Sequence, residues 1–432
     1  MADSSESNPE QLTTVLLPHV RRAADIAEKQ KRVAEFLQHH AFNALLLQRP
    51  ENVAWMTAGA DVTRAGSSET IAAVFVTADA RLVITNNVDS PLLFERELYG
   101  LGFQLKQRAW QQSRDQLVED LCRGRRVASD CGFPSTVLVD VQLRSLRLPL
   151  TELECDRMRQ LGRIAVHAVE ATAMSFERGQ TEAEIAGEVA HRLIKRTVIP
   201  ERIQVCADGR SNRFRHWSYG DDTVENYVQI GCVARRWGLN IGVTRTVAFE
   251  RIPDELRVAH QKTVLMHATG MFFSKDGLDS GTLWKKVHRI YEKFGLPNEW
   301  KLADQAEVVG YKLKEWSLVS EPDSILTAPI PVFWHPSTGP SGAGDTIMVT
   351  NSGTELLTPT RNWPKLTVHV RNSPVQCADV LVRDVVHQDR ARLAVDEDIE
   401  RVNANEAALR DANLSIDSVD SSWEIETIEH AT

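Results

Sequence analysis

Residues 227–249 read YVQIGCVARRWGLNIGVTRTVAF, and this stretch decides the fold. Two runs rich in apolar and β-branched residues, 227–234 and 239–249, flank the sequence Arg-Arg-Trp-Gly, which is typical of a turn. The pattern therefore predicts a β-hairpin. Gly231 and Gly242 lie eleven residues apart within it, and neither can offer a side chain to a ligand.

The composition is that of a globular chain large enough for more than one domain. At 432 residues the chain can form two or three domains that each bury a core, and its 42% hydrophobic and 25% charged residues lie near globular averages. No run approaches the roughly 20 apolar residues of a membrane-spanning helix, and no basic stripe is interleaved with aromatic residues. We therefore expect neither a membrane nor a nucleic-acid partner.

Two sequence features favour a cytoplasmic protein. The first residues, MADSSESNPEQ, are polar and acidic, and they lack the apolar core of a signal peptide. The six cysteines show neither the close pairs of a metal motif nor the density of a disulfide framework, which fits reduced thiols. The expected location is therefore the cytoplasm.

Charge and hydrophobic patterning divide the chain into four parts. We expect a disordered leader over residues 1–19, an α/β domain over 20–150, a second domain over 151–385 and an acidic tail over 386–432. The tail carries twelve acidic and four basic side chains, so it accounts for most of the net charge of −9. One helix at 399–412 is the only structure expected in the tail.

The first domain alternates helix and strand. The pattern predicts a helix over 26–39, strands at 44–47 and 52–57, and a hairpin within 71–85. In the second domain, pairs of helices precede groups of strands, and a capping-box sequence at 151–154 begins the first helix. The other predicted elements of this domain are helices from 182 to about 195, 254–273 and 282–294 and strands at 331–334, 345–350 and 365–370. This repeated order suggests a duplicated α+β unit with a shared sheet.

The hairpin closely resembles the metal-binding hairpin of the pita-bread hydrolases, a family that includes methionine aminopeptidase, prolidase, aminopeptidase P and the metal-free creatinase. In the metal-dependent members this hairpin carries two aspartates eleven residues apart, the second just ahead of a Thr-Arg-Thr. Here 244–246 keep the Thr-Arg-Thr, while Gly231 and Gly242 stand at the aspartate positions. The resemblance covers most of residues 20–385. It implies an α+β protein with a creatinase-type α/β N-terminal domain, a pita-bread C-terminal domain and assembly as a homodimer.

The resemblance also locates the family's other three metal ligands, one His and two Glu. These positions fall on Tyr311, on His335 of a Trp-His-Pro sequence and on Gly344 of a Gly-Asp sequence. A dinuclear hydrolytic centre needs hard oxygen ligands that hold two dications and lower the pKa of a bridging water. We therefore expect no metal and no other cofactor. A single metal on His216 and His335 is an alternative, although two ligands rarely suffice.

One catalytic feature of the family is retained. His216, within Arg-Phe-Arg-His-Trp, resembles the substrate-facing histidine of aminopeptidase P and creatinase, which in creatinase moves protons without a metal. We therefore predict metal-independent, hydrolase-type chemistry on a small amide, amidine or carboxylate-bearing compound. His216 is the expected general acid and base, with His335 or Tyr311 assisting. Creatinase grips its cationic substrate with glutamates at the positions of His335 and Gly344, so creatine-like cations are disfavoured here.

Cationic residues near these positions suit an anionic ligand. Arg64, Arg215 and Lys312 are the predicted substrate-binding residues, although a lone loop arginine such as Arg64 is more often simply solvated. Cys232 alternates to the strand face opposite Gly231, which favours a buried thiol over a nucleophile. By the resemblance, the arginine of the Thr-Arg-Thr forms a structural ion pair.

Two further functions stay open from the sequence. The chain is a non-catalytic pita-bread relative that binds a small molecule or short peptide, or it is an Xaa-Pro aminopeptidase with an atypical metal site. The retained histidine favours the metal-independent enzyme, and the lost ligands favour the binding protein.

Overall fold

The computed structural model describes residues 9–64, 69–384 and 428–430, which separate into two compact units. The first unit comprises Met1–Arg157 and Trp237–Leu239, and the second comprises Met158–Arg236 and Asn240–Thr432.

The first unit is built on a mixed sheet. Its elements in chain order are α1 (Pro9–His39), β1 (Ala44–Leu47), α2 (Pro50–Met56), β2 (Ala73–Val76), β3 (Arg81–Asn86), a π-helical turn (Leu92–Glu97), β4 (Gln104–Arg108), α3 (Asp115–Cys122), β5 (Val127–Ser129), β6 (Thr136–Leu138) and α4 (Asp140–Arg147). The strand order is β4-β3-β2-β1-β5-β6. The central strand β1 is fully buried, which explains its uninterrupted apolar sequence Ala-Leu-Leu-Leu.

Two expectations for the first unit need revision. The strand predicted at 52–57 is wrong, because these residues lie mostly in helix α2. Pro50 begins that helix, where its missing N–H costs nothing, and Asn52 to Met56 are all buried, so no amphipathic stripe reveals the helix. Helix α1 begins at Pro9, inside the stretch 1–19 where we expected a disordered leader.

The second unit contains the predicted hairpin. Its elements in chain order are α5 (Glu152–Ser175, which begins in the first unit), α6 (Glu182–Ile194), β7 (Ile199–Ala207), a 3-10 turn (Arg210–Asn212), β8 (Tyr227–Arg236), β9 (Leu239–Phe249), α7 (Asp254–Phe273), α8 (Ser280–Lys293), a second 3-10 turn (Glu299–Leu302), β10 (Ala306–Val308), β11 (Trp316–Ser317), β12 (Ile330–Trp334), β13 (Ser337–Thr338), β14 (Ser341–Gly342), β15 (Asp345–Thr350), β16 (Gly353–Leu356), β17 (Lys365–Val370), β18 (Ser373–Ala378), β19 (Leu381–Arg383) and β20 (Ile428–His430).

Local sequence signals explain the helix starts and the hairpin turn. Thr181 and Glu184 form a reciprocal capping box at α6, and the Asp279 side chain accepts a hydrogen bond from the Thr282 N–H (2.7 Å) at α8. Trp237 and Gly238 both have positive φ (54° and 76°), as a two-residue hairpin turn requires.

The strands of the second unit form separate sheets, so the single shared sheet that we expected is wrong. One sheet has the order β19-β9-β8-β7, and another has the order β11-β10-β12-β15-β16. An isolated bridge between Thr244 and Gly344 joins β9 to the start of β15. A Cβ added at Gly344 would lie 2.6 Å from Thr244 Oγ1, so this close approach depends on glycine.

Helix α7 is buried along most of its length and supports β12. A Cβ added at Gly270 would lie 2.5 Å from the Trp334 ring, and Trp334 Nε1 donates to Ser274 Oγ (2.9 Å). The contact fixes the end of β12, where His335 follows. Within the described ranges, no helix is long and apolar enough to cross a bilayer. The helix expected at 399–412 lies outside the described residues.

Candidate functional site

The two hairpin glycines face different surroundings. A Cβ added at Gly231 would meet Thr244 Oγ1 at 3.4 Å and Gln204 Cβ at 3.6 Å, which are ordinary contacts. A Cβ added at Gly242 would lie 2.5 Å from the Phe333 ring. Phe333 therefore fills the space into which a side chain at position 242 would project.

Hydrogen bonds reinforce this filled arrangement. The Thr346 hydroxyl accepts from the Gly242 N–H (3.0 Å) and donates to the Gly242 carbonyl (2.8 Å). Gly344 is covered by Thr244, as its close approach shows. At positions 242 and 344, any ligating side chain would have to displace an existing neighbour.

His335 forms a pair with Glu307. Its ring Nε2 lies 3.0 Å from Glu307 Oε2, and its ring stacks on Phe333 with centroids 4.5 Å apart. The side chains of His335 and Glu307 are 16% and 8% exposed, so the pair is largely shielded from water. Strand register explains the meeting: Glu307 lies directly opposite Phe333, and His335 is two residues further on the same face.

Glu307 carries a negative charge in this environment. Burial alone raises the pKa of its carboxyl, yet the opposing effects of His335, Lys314 and Arg202 outweigh burial, so the pKa lies below its usual value. Lys314 Nζ lies 4.0 Å from Glu307 Oε1 and 3.3 Å from Asp304 Oδ1. Glu307 was not among the predicted site residues, although an acidic residue within an otherwise apolar strand is a signal of burial with a partner.

The environment of His216 differs from that of the pair formed by His335 and Glu307. His216 is exposed, in the loop between the 3-10 turn Arg210–Asn212 and β8, and it makes no hydrogen bond within the described part of the chain. Tyr311 is 4% exposed, and its backbone carbonyl accepts from Asn240 Nδ2 (3.3 Å). The structure thus gives His335 a buried carboxylate partner and leaves the roles of His216 and Tyr311 as predictions.

The three predicted substrate-binding residues have other contacts. Arg215 Nη2 lies 2.5 Å from Glu299 Oε1, and the arginine side chain is only 6% exposed. The Lys312 N–H donates to Glu315 Oε1 (3.1 Å), which stabilises the turn after β10. In the first unit, Arg64 forms a forked pair with Asp89 (2.7 and 2.9 Å) and lines a cavity of about 410 Å³. Their roles in ligand binding remain predictions.

A buried ion-pair network lies on the face of β9 opposite to Gly242. Arg245 Nε lies 3.1 Å from Glu170 Oε1, and Arg245 Nη2 lies 3.0 Å from Asp345 Oδ1. The Thr358 hydroxyl also donates to Asp345 Oδ1 (2.7 Å). The structural ion pair expected for Arg245 is therefore confirmed.

Cys232 is also placed as the sequence indicated. It is 3% exposed, and burial raises the pKa of its thiol to about 12. The thiol therefore stays protonated at neutral pH, which makes Cys232 a poor nucleophile.

The two-metal centre of the metal-dependent pita-bread hydrolases does not fit the residues at these positions. Three of the five positions are glycines, His335 is bonded to Glu307, and Phe333 occupies the space beside Gly242. Within residues 9–64, 69–384 and 428–430, no group of three or more His, Cys, Asp or Glu side chains is arranged to hold a metal ion. The donor set therefore lacks the carboxylates that two dications require.

Comparisons with solved structures define the class of fold. The Xaa-Pro dipeptidase from Bacillus anthracis superposes with a TM-score of 0.67 at 16% identity, covering 83% of this chain and 100% of that one. The prolidase from Pyrococcus horikoshii gives a TM-score of 0.66 at 18% identity, covering 77% and 99%. Aminopeptidase P from E. coli gives a TM-score of 0.64 at 14% identity, covering 78% and 94%. The chain is thus a mixed α+β protein with the pita-bread fold, as the sequence predicted.

Sequence comparison then shows which proteins the chain is similar to. Residues 156–321 match the model of metallopeptidase family M24. The Xaa-Pro dipeptidase of Pyrococcus horikoshii is 21% identical over 351 residues, 77% of this chain and 97% of that protein. The Xaa-Pro dipeptidase of Pyrococcus furiosus is 21% identical over 234 residues, 51% of this chain and 66% of that protein. Residues 156–321 therefore resemble an M24 domain, and the chain is similar in sequence to Xaa-Pro dipeptidases.

Proposed function

We propose that this chain does not use the two-metal peptidase reaction and instead performs metal-independent acid–base chemistry at the pair formed by His335 and Glu307. The substrate class is a small amide or carboxylate-bearing compound. The observation that carries the proposal is the 3.0 Å contact between the His335 ring and the Glu307 carboxylate, at one of the family's ligand positions. This proposal moves the leading role from His216 to His335.

The pair is suited to general-base catalysis. A carboxylate only accepts hydrogen bonds, so in a neutral imidazole the proton lies on Nε2, and Nδ1 keeps the lone pair. Glu307 acts as a positioning residue that fixes this tautomer and the ring orientation. In amide hydrolysis, Nδ1 takes a proton from water as the water oxygen bonds to the carbonyl carbon. The same proton then passes to the departing nitrogen as the C–N bond breaks.

A second function is supported by the comparisons. Two sequence relatives are Xaa-Pro dipeptidases, so dipeptide hydrolysis is the alternative to test alongside the proposal. It would require metal at a centre where glycines stand at three ligand positions. Beside one of them, Gly242, the Phe333 ring occupies the space that a ligating side chain would need. A non-catalytic protein that binds a small molecule or short peptide is the third candidate.

The test is turnover by metal-stripped, full-length protein. We expect hydrolysis of at least one compound from a panel of N-acyl amino acids, amides and dipeptides in the presence of EDTA. His335→Gln should lower kcat about 100-fold, because a positioned general base contributes roughly 10²–10⁴. His288→Gln is the matched control, since His288 also faces a glutamate (Nδ1 to Glu292 Oε1, 3.6 Å) but on a helix away from β12.

Three outcomes would count against the proposal. Turnover that requires added metal would favour the dipeptidase alternative, and turnover unaffected by His335→Gln would exclude His335 as the base. If no compound is hydrolysed, the non-catalytic alternative replaces the proposal. His216→Gln in the same panel tests the acid–base role predicted for His216. Homodimer assembly and cytoplasmic location stay predictions, for size-exclusion chromatography with light scattering and for cell fractionation respectively.

A further inference from the structure

Arg202 is an arginine without a counter-ion in a region where other arginines are paired. It lies half-buried on β7, and its Nε is buried without a hydrogen-bond partner. Within the described ranges, no carboxylate forms an ion pair with it. By contrast, Arg210 lies 3.3 Å from Glu182, Arg215 lies 2.5 Å from Glu299, and Arg235 lies 2.7 Å from Glu201.

Strand register places Arg202 on the face of the candidate site. Gln204 lies directly opposite Gly231, and Arg202, two residues earlier, lies opposite Val233 just beyond a register shift. Residues two apart on a strand share a face, so Arg202 is on the side that carries the hairpin glycine.

The nearby carboxylates already have closer partners. His335 lies 3.0 Å from Glu307, and Lys314 lies 3.3 Å from Asp304. A partly buried guanidinium with unused donors is unfavourable, and a planar, bidentate oxyanion is the group that satisfies it best. The planar fork binds a carboxylate or a phosphate in a bidentate way, but one positive charge neutralises a carboxylate and leaves a dianionic phosphate half-neutralised.

We propose that Arg202 binds the carboxylate of a small acidic ligand beside the pair formed by His335 and Glu307. This inference rests on the proposed function, because it names the ligand class of the same site. The carboxylate would lie against the β7 face of the site, and the bond to be attacked would lie toward His335.

Calorimetric titration of the full-length protein tests this inference. The probes are N-acetyl amino acids, each paired with its carboxamide, which has the same shape without the charge. We expect wild-type protein to bind at least one acid about tenfold or more tightly than its amide, since a charge-assisted bidentate contact is worth at least that factor. Arg202→Gln should remove this preference, and Arg202→Lys should retain only part of it, because the ammonium lacks the fork.

Arg235→Gln is the matched control, because it removes a paired arginine from the adjacent strand and should leave the preference unchanged. His335→Gln should also keep the preference while lowering kcat about 100-fold. Failure of the proposed function would thus appear as absent turnover with intact binding. Failure of this inference would appear as turnover without carboxylate preference.

Three results of the acid and amide titrations would overturn the inference. They are no binding of any acid to wild-type protein, equal binding of acid and amide, and a preference that survives Arg202→Gln. Inorganic phosphate serves as a further probe. If phosphate displaces the acids from wild-type protein and binds more tightly than they do, the site takes phosphate, and the assignment to a carboxylate is wrong.

Discussion

The two faces of the sheet that contains β12 and β15 differ in the charged groups that each carries. One face carries Trp334 and Asp345, which lie opposite each other in register, and Asp345 is paired with Arg245 in a buried network. The other face carries Phe333, whose ring fills the space beside Gly242 of the neighbouring sheet, where the family's ligand carboxylates are absent. The buried ion pair remains on the first face, while the positions that the resemblance assigns to the metal ligands hold three glycines, Tyr311 and His335.

This difference separates residues that support the fold from residues that support a metal reaction. Several carboxylates gathered without a metal repel one another, so a metal-free centre is more stable when they are lost. A buried ion pair behaves in the opposite way, because removing one partner leaves an uncompensated charge. We therefore expect the fold to depend on the Arg245 network and not on metal ligands.

The largest effect on stability is expected when the Arg245 ion-pair network is disrupted. Arg245→Met leaves Glu170 and Asp345 buried without their cation, and we expect a loss of about 3–5 kcal/mol in the free energy of unfolding. Denaturant titration measures it. Arg235→Met is the control, because its pair with Glu201 is partly exposed and should contribute no more than about 1 kcal/mol. Equal losses in the two variants would show that the network does not support the fold.

The second prediction concerns His267, which is buried on helix α7. Its Nε2 lies 3.8 Å from Asp345 Oδ2. Burial lowers the pKa of His267 from 6.5 to about 4, so the unfolded chain takes up a proton at a higher pH than the folded chain. Stability should therefore fall by about 3 kcal/mol as the pH drops from about 6.5 to 4.

Unfolding measurements across this pH range check the prediction. The contribution of His267 is the difference between wild-type protein and His267→Gln, which has no group that titrates there. The variant should lose less stability on acidification. Identical pH profiles would mean that His267 does not remain neutral in the folded state.

The third prediction concerns the space beside Gly242, which the Phe333 ring fills. Gly242→Asp forces a side chain against the Phe333 ring, and we expect it to lower stability by about 2 kcal/mol, as overpacking of a core does. Gly231→Asp is the matched comparison, because its Cβ meets only ordinary contacts and should cost less. Thermal unfolding compares the two. If Gly242→Asp is no worse than Gly231→Asp, then Phe333 does not fill the site as described.

Local signals in the sequence predicted much of the fold. The hairpin, α5, α6 and α7 follow from alternation, capping boxes and helical spacing, which depend on neighbouring residues. Helix α2 was missed because burial on every side removes the amphipathic pattern. These outcomes show that periodicity identifies elements with one exposed face and fails for those that have none.

The candidate site was predicted only in part. The resemblance to the pita-bread family implies that Gly231, Gly242 and Gly344 stand at ligand positions, and it also singles out His335. The partner Glu307 is 28 residues distant from His335 and meets it only through the register of β10 and β12. The Phe333 ring fills the space beside Gly242, and this contact joins two different sheets. Such long-range pairings cannot be read from local sequence patterns.

The central claim is that the pita-bread centre of this chain does not hold the family's two metal ions. Its most direct test is metal analysis by mass spectrometry of the full-length protein after incubation with Mn²⁺, Co²⁺ or Zn²⁺ and gel filtration. Because three ligand positions are glycines and Phe333 occupies the space beside Gly242, we predict well under one equivalent of each metal per chain. Two tightly bound equivalents per chain would contradict the claim.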